Sequence, residues 1–189
     1  MKIKKIIDKC KREGLMFLYT DENAVQWICD GRSIYPLYNL PQFDFDSLCN
    51  LYDVNEKQKE KIRFTEKAEL PSRFDFSDVV PSETFCERQG LRIISGGRVL
   101  VPYQTTLGIA FFDNADFSPI EIINGNELEV YERFNAVGEQ YFTVKSGFML
   151  QAVILPYECI NDYFVKNLKI MYQQSEMRLE NEEQENEEC

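Results

Sequence analysis

YFTVKSGFMLQAVILP, residues 141–156, is the longest apolar run in the chain. It is rich in aromatic and β-branched residues and is too short and too glycine-broken to cross a bilayer, so it reads as a central β-strand. Ser146-Gly147 is expected to mark a bend or bulge in that strand, because glycine tolerates the kinked backbone such a point needs. Pro156 lacks a backbone donor and closes the ladder. After it, Asn161 has a capping side chain, Asp162 suits the positive end of a helix, and Ile160 with Val165 has the spacing of a hydrophobic staple. Ile160, Phe164, Leu168 and Met171 then form one stripe, which predicts a helix over 160–179 folded back on the sheet.

That helix runs into EMRLENEEQENEEC, residues 176–189. The segment holds seven Glu and one Arg, a balance of −6, which leaves −5 of the chain's −11 on residues 1–175. More than half of the acidity therefore belongs to a tail expected to stand in solvent. Glu176, Glu180, Glu182, Glu183 and Glu185 are its candidate partner-binding residues.

Upstream of the apolar run the text is almost entirely β, with segments at 91–95, 98–103, 107–113, 120–123 and 128–134. Gly96-Gly97 and Asn124-Gly125 supply turns, and successive hairpins imply an antiparallel sheet. Residues 64–88 contain Pro71 and Pro81 among several Ser, Asp and Glu, and read as a linker or long loop that Phe74 and Phe76 peg to a core. Further back, 16–20, 24–29 and 33–37 read as a three-stranded meander with the only tryptophan, Trp27, in its middle strand. Residues 43–62 look helical in two pieces broken near Asp53, where Asp53 and Glu56 have capping-box spacing. At the start, Ile3, Ile6, Ile7 and Cys10 share one helical face, while Lys2, Lys4, Lys5, Lys9 and Lys11 take the other, and Gly14 stops the helix.

The fold class expected is α+β: an antiparallel sheet of six to eight strands with the first and last helices packed on it. Residues 1–63, 64–88, 89–175 and 176–189 mark the N-terminal part, the linker, the β-rich part with its helix, and the tail. Together they form one domain, a reasonable size for 189 residues. With no apolar run of signal-peptide or transmembrane length, the expectation is a cytoplasmic protein.

The chain contains no histidine, which removes Ser/His and Cys/His catalysis and His-containing zinc sites. No Gly precedes a Lys, so there is no Walker-type phosphate loop, and neither GxGxxG nor GxSxG occurs. No Lys follows an acidic residue or Gln by two positions, the spacing that restriction-type nucleases use. The six cysteines include no CxxC pair and read as buried thiols. Asp113, Asp116 and Glu121, in FFDNADFSPIE, are the one dense acidic group outside the tail. Carboxylates at a strand end suit Mg²⁺ or Ca²⁺, and Asp and Asn are equally what a turn demands. No cofactor is called for. Arg32 and Arg98 each follow a turn glycine within a G-R-x-aliphatic-x-P echo, GRSIYP and GRVLVP, and read as solvated turn arginines or as a guanidinium pair on one edge.

Three resemblances bear on function. The Lys-rich start, the absence of histidine and the acidic end together resemble small accessory proteins of phages and prophages from low-GC Gram-positive bacteria. That likeness implies a non-enzymatic inhibitor of a host nucleic-acid-handling defence protein, of the anti-CRISPR or anti-restriction type, with DNA mimicry as one route. TDENAVQWICDGRSIYP and QAVILPYE resemble strand text of DNA sliding clamps, which implies instead a replication or recombination accessory. LCNLYDVNEKQKEKI is similar to the middle of a phage-repressor helix-turn-helix, although no recognition helix follows it and the chain is acidic.

Overall fold

The computed structural model describes residues 1–121, 127–158, 164, 166, 170 and 173. It divides into two compact units, Met1–Pro156 and Tyr157–Cys189. The first unit is mostly β. Among the described residues its eleven strands are β1 Leu15–Thr20, β2 Gln26–Cys29, β3 Ser33–Pro36, β4 Arg63–Lys67, β5 Thr84–Arg88, β6 Ile93–Ser95, β7 Arg98–Thr105, β8 Gly108–Asp113, β9 Leu128–Phe134, β10 Gln140–Ser146 and β11 Met149–Ile154. Three α-helices accompany them: α1 Ile3–Glu13, α2 Phe45–Leu51 and α3 Glu56–Lys59. The strands join one open sheet in the order β4-β1-β2-β3-β11-β10-β9-β5-β7-β6. Leu100 of β7 faces Ile93 and Asp113, and Tyr103 faces Arg88 and Ala110. So β5 and β6 lie end to end along one side of β7, with β8 along the other.

The sheet is larger than the six to eight strands expected, and its central element differs. The run 141–156 is not one bent strand but the β10–β11 hairpin, in which Ser146 pairs with Met149 across a loop of Gly147 and Phe148. Gly147 takes φ +61°, and a two-residue loop with glycine first matches the right-handed twist of the flanking strands. The irregularity expected at Ser146-Gly147 does exist, but as a register shift between Val144 and Lys145. A hairpin here places two largely buried strands at the middle of the sheet, which a single kinked strand would leave half unpaired.

Other strands came from text too polar to read as β. The span taken as a linker starts in β4 and ends in β5. β4 carries Arg63, Glu66 and Lys67 on the edge of the sheet, where charge protects unpaired backbone groups. It runs parallel to β1, against the all-antiparallel expectation, and this is possible because β2, β3, α2 and α3 supply the crossover. Asn55, not Asp53, caps α3, through a reciprocal pair with Gln58, while Asp53 takes φ +55° in the turn before it. Residues 122–126, the Asn161 cap and the 176–189 tail lie outside the described residues. Within the expected C-terminal helix, Phe164, Lys166, Ile170 and Gln173 are helical.

At the centre of the sheet both faces are covered. Alternation along β10 and β11 sends Phe142, Val144, Ala152 and Ile154 to one side, where they meet Ile6 and Ile7 of α1 and Leu48 of α2 in a single cluster. Burying a side chain such as Phe142, which has no exposed surface, stabilises the fold by roughly 1.5–3 kcal/mol. Tyr141, Leu150 and Val153 belong to the second cluster with Trp27, Cys29 and Ile34. Here the irregular segment 68–83 forms a strap, with Phe74 5.1 Å from Tyr141 and Phe76 5.1 Å from Trp27 between ring centroids. The expected pegging by Phe74 and Phe76 therefore holds, although the segment is a packed cover and not a tether.

Thr143, fully buried in β10, has the one buried side-chain polar atom among the described residues without a hydrogen-bond partner. Thr143→Val keeps the shape and removes the orphaned hydroxyl, so urea denaturation is expected to show a gain of about 1 kcal/mol. A comparable loss would mean that the hydroxyl is satisfied in solution.

Candidate functional site

The charged residues of the fold divide into those committed to internal pairs and those that are not. Lys9, placed on the polar side of α1 by its spacing, is in fact 4% exposed. Its ammonium lies 2.9 Å from Asp30, donates to Tyr35 at 2.7 Å and to Ser33 at 3.1 Å, and pairs with Asp116. Burial works against its charge, but Tyr35, Asp116 and Asp30 outweigh it and hold the Lys9 pKa above the ordinary lysine range. Burial pushes Asp116 up, against the pull of Lys9.

Beside this group, Asp113 accepts from Arg12 at 2.8 Å and from Arg98 at 3.0 Å, and Arg98 grips Glu13 with both terminal nitrogens at 2.8 and 2.9 Å. Glu121 instead binds the N-terminal ammonium at 2.8 Å. The three acids singled out from FFDNADFSPIE are thus held apart in three separate pairings and do not converge. Among the described residues, no group of three or more Cys, Asp or Glu is placed to hold a metal ion. Nor are the echo arginines solvated: Arg98 ties α1 to β7, and Arg32 donates to the carbonyl of Pro156. Cys10, Cys29, Cys49 and Cys86 are buried free thiols, and burial pushes Cys29 up to about 12 and Cys86 up to about 11.

A second buried network fixes the strap. Arg133 of β9 is 2% exposed. It donates to Glu83 at 2.6 and 2.9 Å and to the carbonyls of Asp75 and Ser77 at 3.0 and 2.9 Å, and Lys145 pairs with the other Glu83 oxygen. Burial raises the Glu83 pKa, but the hydrogen bonds from Lys145 and Arg133 more than reverse this and keep it below the usual carboxylate range. Two further contacts hold the strap: the Asp75 N–H donates to the Tyr141 hydroxyl at 3.0 Å, and Asp78 accepts from the Leu150 N–H at 2.8 Å.

Between the strap and the β1–β2 turn lies an open cleft of about 740 Å³. Trp27, Tyr38 and Phe76 supply its aromatic wall, with Tyr38 and Phe76 set at 70° and 68° to the indole. Asp21, Glu22, Glu69 and Asp78 line it as well, and among the described residues no Lys or Arg does. Asp21 is partly committed, accepting from the N–H groups of Asn23 and Val25 and from the Trp27 indole at 3.0 Å. Burial first, then the neighbouring Asp78 and Asp21, push the Tyr38 hydroxyl up to about 12.

Little in the sequence signals this site. Trp27 stands out there only as a buried residue of the meander, and the cleft acids are scattered over 21–78 with no motif spacing. The tail glutamates singled out instead, Glu176, Glu180, Glu182, Glu183 and Glu185, lie outside the described residues. A second cavity of about 450 Å³ is lined by Phe85, Tyr103 and Phe117, with Arg88 and Glu127 also present. Comparison with protein-family models, with curated proteins and with solved structures finds no match.

Proposed function

We propose that the chain is a non-enzymatic protein-binding module that acts as a stoichiometric inhibitor, of the kind phages direct against a host restriction or CRISPR nuclease. One observation carries this reading. Asp30, Asp113 and Asp116, which are buried, and Glu83, which is half-buried, are each matched by an internal cation, and the buried Glu132 is held by Thr106 and Gln140, whereas the carboxylates lining the cleft face no cation there among the described residues. Unmatched acidic groups over an aromatic wall complement a basic, nucleic-acid-binding surface, and the net charge of −11 steers such a partner in. A partner of this class places the protein in the cytoplasm. In keeping with that, no helix among the described residues is long and apolar enough to cross a membrane.

The test is cleavage by a panel of purified restriction and CRISPR nucleases, with the protein added from substoichiometric amounts up to one equivalent. The expected result is that one nuclease loses activity in proportion to added protein and co-elutes with it at equal stoichiometry. A panel in which no enzyme is slowed and none co-elutes overturns the inhibitor reading.

The second reading, a sliding-clamp-like or other DNA accessory, is favoured by the outer face of α1, where Lys2, Lys4, Lys5 and Arg12 are exposed. It predicts retention on duplex DNA that falls steeply with salt, which the inhibitor reading does not. The helix-turn-helix likeness has less support, since α3 is a single turn of four residues.

A further inference from the structure

The geometry of the cleft points to the chemistry of the group it takes: we infer that it is an anchor pocket for one arginine side chain presented by a protein partner. This rests on the binding-module reading and adds the identity of the contact.

Three features converge on a guanidinium. The cleft is formally anionic: Glu22 and Glu69 are exposed and form no ion pair among the described residues, while Asp78 has only one oxygen engaged, by the Leu150 N–H. A cation entering it meets no competing Lys or Arg among the described residues. Next, Tyr38 and Phe76, both half-buried, pack edge-to-face on the buried Trp27, which leaves the rings of Tyr38 and Phe76 as the surfaces on which a flat cation can stack while its edge stays turned toward carboxylates. A guanidinium suits this better than an ammonium, being planar, weakly hydrated and able to stack and donate in its own plane at once. Finally, the cleft is open, so it leaves much of a small free ligand in water, whereas an arginine on a partner surface arrives with neighbouring contacts that seal the rim.

The fold holds this site in shape independently of any ligand. The Asp21 carboxylate fixes both the β1–β2 turn and the indole of Trp27, and Arg133 fixes the strap that carries Phe76 and Asp78. Preorganisation of this kind reduces the ordering cost of binding.

Because Trp27 is the only tryptophan, its fluorescence reports on the cleft without ambiguity. The probes are the N-acetyl amides of arginine, lysine and citrulline, the last being the neutral isostere of arginine. The expected result is a saturable change with the arginine derivative, at least fivefold weaker binding of the lysine derivative, and no saturable change with citrulline. Glu69→Gln combined with Asp78→Asn is expected to weaken arginine binding about tenfold. Since the amide oxygen that Asp78→Asn introduces can still accept from the Leu150 N–H, thermal unfolding should be unchanged. Absence of saturation with arginine, equal binding of lysine or citrulline, or an unaffected double variant with native unfolding would overturn the assignment. If arginine fails to bind while the protein still inhibits a nuclease at one equivalent, the pocket assignment falls alone. If arginine binds as expected but no nuclease is inhibited, the pocket stands and the inhibitor reading falls.

Discussion

Arg133→Ala is expected to lower the unfolding free energy by about 3–5 kcal/mol, because it strands Glu83 in a buried site with only Lys145 opposite. Arg133 also donates to the carbonyls of Asp75 and Ser77, so the same change leaves backbone acceptors of the strap without their donor. The loss should therefore be uneven. Hydrogen exchange should rise first at Asp75, whose N–H is bonded to Tyr141, and at Leu150, whose N–H is held by Asp78. β1 and β2, which pair with each other on the far side of the hairpin, should speed up by no more than the global loss of stability requires. Arg133→Lys keeps a charge but cannot reproduce a fork that reaches Glu83 and two carbonyls, so it should recover only part of the loss. Wild-type stability and strap protection in Arg133→Ala would show that the network is not what holds the strap. Since the strap is one wall of the cleft, this variant should also lose the Trp27 response to the arginine probe, and for that reason it is a poor choice for testing the pocket itself.

Lys9→Met is expected to cost a similar amount, about 3–5 kcal/mol, with a different signature. Methionine fills the space of the lysine stem but leaves Asp30 and Asp116 as two buried carboxylates with no cation between them. The triple variant Lys9→Met, Asp30→Asn, Asp116→Asn removes the charges together and should recover much of the stability, because neutral amides of the same shape need no counter-charge. The measurement is urea unfolding of wild type, single and triple variants. A triple variant no more stable than Lys9→Met would show that the interaction is packing of the lysine stem and not compensation of charge. The pH sign follows from the raised Lys9 pKa. Its stabilising contribution is complete below the ordinary lysine pKa and declines only as the pH rises through the higher folded value. Across the neutral range the penalty of Lys9→Met should accordingly not change through titration of Lys9.

These two residues also show where sequence reading reaches its limit. The period of α1 was plain from Ile3, Ile6, Ile7 and Cys10, and all four are buried as expected. Lys9 lies beside that stripe, three residues after Ile6, and nothing local distinguishes a lysine that snorkels to water from one that meets two carboxylates 21 and 107 positions away in the chain. Arg133 alternates with Tyr131 along β9, which places it on the face opposite Val130 but cannot say that a strap from 75–83 will cover that face. Long-range charge pairing has no sequence period.

By itself the sequence determined the α1 helix and its glycine cap, the β1–β3 meander with a buried Trp27, the Gly96-Gly97 hairpin and the β-rich character of 91–154, because side-chain alternation and turn chemistry are local properties of the chain. It also determined what chemistry is missing, histidine above all. Only the tertiary structure decided that 141–156 is a hairpin at the centre of an eleven-stranded sheet, that the supposed linker contributes two strands and a strap, and that β4 runs parallel to β1. It alone showed Asp113, Asp116 and Glu121 in separate pairings and brought Asp21, Glu22, Glu69 and Asp78 together as a site to test, while the tail glutamates lie outside the described residues. The reason is that strand pairing and charge compensation depend on which distant segments meet, and their free energy comes from burial that no window of sequence contains.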